Sequence, residues 1–218
     1  MNACGPLRGP KELGTGSLEP KSLDANRNSW ASRLRRPTES DAIAIHRLVG
    51  QAKVLDLNST YAYLLMATDF ADTCVVAERD GEICGVITRY HPPVRPDVLF
   101  VWQVAVAPSA RGAGLAATML DSLTQRVRDD RHGHPVTVEA TVAAGNTASR
   151  ALFGAFARRH GVPIIEHPRF LARHLDPELM HDDEPVLRIG PIVAAPTTDI
   201  CERTHDTPAD APRTPDDQ

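Results

Sequence analysis

Six consecutive residues, Arg111-Gly112-Ala113-Gly114-Leu115-Ala116, have the types and spacing to hold an anion. Glycine lets the backbone curl tightly and come close to a ligand. A helix starting at once behind it offers first-turn N–H groups with no acceptor of their own and the positive end of its dipole. That combination suits a pyrophosphate. A dinucleotide fold would want G-x-G-x-x-G, and a nucleotide loop a lysine–serine pair after the last glycine; the chain has neither.

The elements that must position this loop can be read on both sides of it. Val98 to Val106 (VLFVWQVAV) is β-branched, aromatic and mostly apolar, as for a strand buried on both faces. Pro108 ends it, because proline cannot donate to a ladder. Behind the loop, Leu115, Met119, Leu120, Leu123 and Val127 fall on one helical stripe. Upstream, a short strand is expected at Ser32 to Arg36. Thr38 then caps a helix with Asp41 close behind and Ile43, Ile45, Leu48, Val49 and Ala52 on its apolar side. Ser59 caps a second helix carrying Tyr61, Tyr63, Leu64, Leu65 and Met66. Thr73–Arg79 and Glu82–Tyr90 read as strands joined by the hairpin turn Asp80-Gly81, with Gly85 marking a bulge or close approach. His91 reads as a solvated loop residue. Val136–Val142 is a strand with Glu139 in its middle. Asn146 caps a helix whose apolar side is Ala148, Ala151, Leu152, Ala155 and Phe156, and Gly161 ends it. Val162–Glu166 and Val186–Ile189 are short strands, separated by a long loop with one helical turn.

Length and composition bound the rest. The chain has 218 residues, 42% hydrophobic and 24% charged, enough for one domain with a sizeable core plus tails. Residues 1–31 and 192–218 are polar and aperiodic and are expected to be disordered tails around a domain at 32–191. A net charge of -4 implies no broad basic surface for nucleic acid. No apolar run approaches the roughly 20 residues needed to span a bilayer, and the N-terminus has no secretory apolar region. The four cysteines lack metal-ligand spacing; Cys74 and Cys84 fall in strands and read as buried thiols, which fits a reducing cytoplasm.

Strand, VAVAPSA turn, Arg111, Gly114, Ala116 and helix together resemble the acetyl-CoA site of the GNAT N-acetyltransferases, whose pattern is Arg/Gln-x-x-Gly-x-Gly/Ala. The order of elements agrees. The resemblance implies an α/β (α+β) fold with a mixed central sheet of about six or seven strands flanked by helices, in which the central strand and the strand holding Glu139 splay apart around the pantetheine arm. It implies contacts from Val104 and Val106 to that arm, from Arg111, Gly112, Gly114 and Ala116 to the pyrophosphate, and from Asn146 and Ser149 to the CoA chain. Further segments, LDLNSTYAYLL (55–65), FADTCVVAE (70–78), PPVRPDVLFVWQVAV (92–106), TVAAGNTASRALF and, less closely, HDDEPVLRIGP (181–191), resemble the diaminobutyrate acetyltransferases of ectoine biosynthesis. This implies acetyl transfer from acetyl-CoA to the 4-amino group of L-2,4-diaminobutyrate, a part in the response to osmotic stress, a cytoplasmic location and a homodimer, with no metal. Competing readings are a GNAT enzyme for another small amine or a peptide N-terminus, and a non-catalytic acetyl-CoA sensor.

The chemistry restricts the candidates. An ammonium cannot attack a thioester until a proton is removed, and the thioester carbonyl needs a fixed donor. Asp56 is expected to bind a substrate ammonium, and Glu139, buried mid-strand, to take the proton or bind an amine. One of Asp182, Asp183 and Glu184 is a further acid. Trp102 is expected to wall the pocket, Tyr61 to hydrogen-bond substrate or serve as acid, and His181 to match a substrate-site histidine. Many GNAT enzymes protonate the leaving thiolate with a tyrosine about seven residues after the capping asparagine; the chain has Phe153 there.

Overall fold

The computed structural model describes residues 33–52, 55–175 and 182–193. The expected tails fall almost wholly outside these residues, as does His181. In order, the elements are β1 (Leu34–Arg35), α1 (Ala42–Gly50), α2 (Thr60–Ala67), β2 (Val75–Arg79), β3 (Glu82–Tyr90), β4 (Val98–Val106), α3 (Leu115–Asp130), β5 (Val136–Thr141), α4 (Thr147–His160), β6 (Ile164–Phe170), α5 (Ala172–Leu175) and β7 (Glu184–Ile192). One seven-stranded sheet runs β1-β2-β3-β4-β5-β7-β6. All pairs are antiparallel except β4 with β5.

Two cores flank the sheet. Leu115, Met119, Leu120, Leu123 and Val127 of α3 pack against one face together with Phe153 and Phe156 of α4. Ile45, Leu48 and Val49 of α1 and Tyr63 of α2 cover Val76, Val86 and Ala105 on the other. The α3 stripe is buried as its spacing requires. On α1 the expected face is rotated, so that Ile43 is 57% exposed. On α4 the buried side is Phe153, Phe156 and Ala157, while Ala148 and Ala151 face outward.

Local chemistry fixes the ends. Asp41 accepts from the Thr38 amide at 2.7 Å and is forked by Arg35 at 2.7 and 2.9 Å, which holds its carboxyl at about 2. Asp80 and Gly81 both take positive φ in the β2–β3 hairpin. A Cβ on Gly85 would come within 2.9 Å of Met119 Cε, so a larger residue there would push that side chain aside. His91 is half-buried rather than solvated. Its Nδ1 lies 2.7 Å from the Val98 carbonyl and its Nε2 3.3 Å from Arg89, and burial lowers its pKa.

Candidate active site

The site is built where β4 and β5 part. They pair only at Val98–Phe100 with Thr137–Glu139, so beyond these rungs the edge of β4 that faces β5 has no strand partner. On its other side β4 carries a bulge. Thr88 pairs with Gln103 and Arg89 with Val101, leaving Trp102 as the extra residue. The bulge reverses the pleat. Leu99 and Val101 face the α3 core, and past Trp102 it is Val104 and Val106 that pack there while Ala105 turns to the α1 side.

The parting strands open a cavity of about 670 Å³. Trp102, Phe100, Tyr90, Phe153 and Phe170 supply its aromatic wall, and Asp56, Asp182 and Glu184 its carboxylates. A second cleft of about 610 Å³ runs along Val104, Val106, Ala148 and Leu152 to Arg111 and Ala116. The two share Leu55, Val104, Asn146 and Ser149 and therefore meet between the strands. The cleft suits a long arm ending in phosphates. Its floor is apolar, and its far end is the turn before α3, where Gly112 and Gly114 both take φ near +75 to +78. A side-chain-bearing residue there would be strained. The α3 N-cap is Gly114 itself, so the first-turn amides are presented without a capping side chain. Arg111 is steadied by its Nε donating to the Val106 carbonyl at 3.1 Å. Asn146 accepts from the Ser149 amide at 3.1 Å and so caps α4 at the junction.

Asp56 reaches the cavity on a loop held from below. Gln103, buried in β4, donates its Nε2 to the Asp56 carbonyl at 2.8 Å and accepts from the Tyr63 hydroxyl at 3.1 Å. Tyr63 is fully buried. Sequence reading did not single out this strap; the tyrosine pair at 61 and 63 was its only sign.

Asp56, Trp102, Val104, Asn146 and Ser149 thus line the cavity, and Val104, Val106, Arg111, Ala116, Asn146 and Ser149 the cleft. Two expected residues stand elsewhere. Tyr61 is 67% exposed and lines a shallow groove with Ile43 on the outer side of α1 and α2. The Ser59 cap sets the helical phase, and that phase turns Tyr63 inward and Tyr61 out. Glu139 is not among the cavity's lining residues. It lies beside the last β4–β5 rung, and Arg95 forks both its oxygens at 2.9 and 2.8 Å. Arg188 donates to Oε1, and Arg169 stands 3.6 Å from Oε2. Surrounded by three arginines and set off the cavity's lining, this carboxylate is a hub for ion pairs. Of the late acids, Asp182 and Glu184 reach the cavity, Glu184 accepting from the Thr141 hydroxyl at 2.8 Å. Asp183 accepts from the Ala172 amide at 2.6 Å instead.

The model of the acetyltransferase (GNAT) family matches residues 42–157, more than half of the chain. The chain belongs to the GNAT acetyltransferase family. Among its GNAT relatives, an L-2,4-diaminobutyric acid acetyltransferase from Streptomyces avermitilis is 48% identical over 162 residues, covering 73% of this chain and 88% of that protein. One from Chromohalobacter salexigens is 42% identical over 161 residues, 72% of this chain and 80% of the relative. A solved diaminobutyrate acetyltransferase from Paenibacillus lautus, in complex with L-2,4-diaminobutyric acid and coenzyme A, superposes with a TM-score of 0.68 at 37% identity, over 74% of this chain and 96% of that one. The GNAT assignment accounts for the parted strands and the glycine turn together. Among the described residues, no group of histidine, cysteine or acidic side chains could hold a metal ion, and no helix is long and apolar enough to cross a membrane.

Proposed function

We propose that this chain transfers the acetyl group of acetyl-CoA to the 4-amino group of L-2,4-diaminobutyrate, giving N4-acetyl-L-2,4-diaminobutyrate, the precursor of ectoine. The observation that carries the reading is the meeting of the two cavities at Leu55, Val104, Asn146 and Ser149: one has an anion-binding end, the other an acidic wall. The relatives' shared activity supports the choice of amine.

The thioester lies at the junction, where the unpaired edge of β4 supplies N–H donors for its carbonyl oxygen. Asp56 holds one substrate ammonium. The acidic wall, including Asp182 and Glu184, takes the proton from the amine that reacts, and its freed lone pair forms the N–C bond. The C–S bond then breaks. A thiol is acidic enough to leave as thiolate, so with Phe153 in the usual acid's place and Tyr61 turned outward, water carries the second nitrogen proton of the tetrahedral intermediate to the departing sulfur, giving amide and CoA thiol. Trp102 walls the pocket, and His181 is proposed to bind substrate. The reading places the enzyme in the cytoplasm, under osmotic stress, and as a homodimer. The buried free thiols of Cys74 and Cys84 suit a reducing compartment. The exposed Ile164 and Ile165 on the edge strand β6 suit a second copy.

Release of CoA thiol with a panel of amines tests the activity. Turnover with L-2,4-diaminobutyrate, and a rate at least about 10-fold lower with ornithine or lysine, is the expected result for a pocket matched to one chain length. Acetyl-CoA binding without turnover on any amine would favour a sensor.

A further inference from the structure

Three guanidinium groups converge on one carboxylate beside the last β4–β5 rung, and they are not equally committed. Arg95 and Arg188 donate hydrogen bonds to Glu139. Arg169 stands 3.6 Å from Oε2, beyond hydrogen-bond reach, and its buried Nε has no acceptor. Its guanidinium is held by two aromatic rings instead, 5.3 Å from the centre of Phe100 and 5.2 Å from that of Phe170. Both rings line the cavity, and Arg169 stands beside them without itself being one of its lining residues. A guanidinium held against rings keeps its N–H edges for a second partner, and that edge geometry matches a carboxylate in two-point contact. The cluster around it holds more positive charge than its one carboxylate offsets.

Resting on the reading that the substrate is a diamino acid, we propose that Arg169 receives the substrate's α-carboxylate and thereby selects which amine is acetylated. The 2-amino group sits on the carbon next to the carboxylate, and the 4-amino group lies two carbons further on. Anchoring the carboxylate at one wall fixes the reach of the chain, so that only the distal amine arrives at the thioester. Asp56 would then hold the 2-ammonium.

The test compares L-2,4-diaminobutyrate with 1,3-diaminopropane, the same two amines without the carboxylate. Wild-type enzyme is expected to favour the amino acid by about 10- to 100-fold in kcat/KM, the range for a hydrogen bond to a charged group. Arg169→Gln is expected to bring that ratio close to one, mainly through KM, and to yield some N2-acetyl product by NMR. Arg169→Lys keeps the cation but not the fork and is expected to fall between. A wild-type ratio and a single N4 product in Arg169→Gln, with acetyl-CoA binding intact, would overturn the assignment. If that variant does not fold, an unchanged ratio in Arg169→Lys overturns it. Wild-type enzyme that acetylates neither compound would sink the substrate reading instead.

Discussion

Glu139→Ala is expected to lower the unfolding temperature by about 6–12 °C, through loss of about 3 kcal/mol from a domain of this size. The side chain is only 3% exposed and is the shared counter-ion of arginines that approach β4 (Arg95), belong to β6 (Arg169) and belong to β7 (Arg188). Removing it leaves like charges crowded at the crossing of these strands, and breaking a buried pair from one side is far worse than never having built it. Glu139→Gln keeps the volume and part of the hydrogen bonding, so its loss should be smaller. Differential scanning fluorimetry with and without acetyl-CoA, set beside turnover, separates this role from catalysis. A Glu139→Ala protein as stable as wild type but about 100-fold slower would return the residue to the chemistry.

Asp56→Ala is expected to act in the opposite sense, lowering kcat/KM for diaminobutyrate by about 10- to 100-fold while acetyl-CoA binding persists. A charge-assisted hydrogen bond to a substrate ammonium is worth that much. The Gln103 strap grips the Asp56 backbone carbonyl, so the loop keeps its main anchor when the side chain is cut. Asp56→Asn should lose nearly as much, because it keeps the hydrogen-bonding shape and drops the charge. Steady-state kinetics with both variants checks this; wild-type kcat/KM in both would remove Asp56 from the site.

Much of this fold was legible because local rules and packing agree. The α3 stripe, the Asp80-Gly81 turn, the Asn146 and Gly161 caps and the tight approach at Gly85 follow from spacing and backbone preference alone. What escaped depended on partners distant in the chain. Glu139 reads correctly as a buried mid-strand acid, but Arg95 and Arg188 lie 44 and 49 residues away, and no local pattern pairs them. Tyr61 and Tyr63 differ by one helical phase, which the Ser59 cap decides. The extra residue at Trp102 shifts the strand's alternation midway, and a uniformly apolar run conceals such a slip. The segment after Val162 shows the same limit. Strand β6 runs on through His167 and Pro168 to Phe170, because pairing with β7 overrides residues that read as loop.

The rungs at Val98–Phe100 are the whole of the β-ladder between β4 and β5, the seam on which the rest of the sheet divides. β3 pairs with Val104–Val106 on one side, but the amides there that point toward β5 lack the cross-strand protection that their burial in the middle of a sheet would suggest. Deuterium should enter there quickly in the empty protein and slowly once a pantetheine chain takes the position of the missing strand. In that sense the acyl donor serves as the fold's eighth strand, and its arrival stiffens the seam.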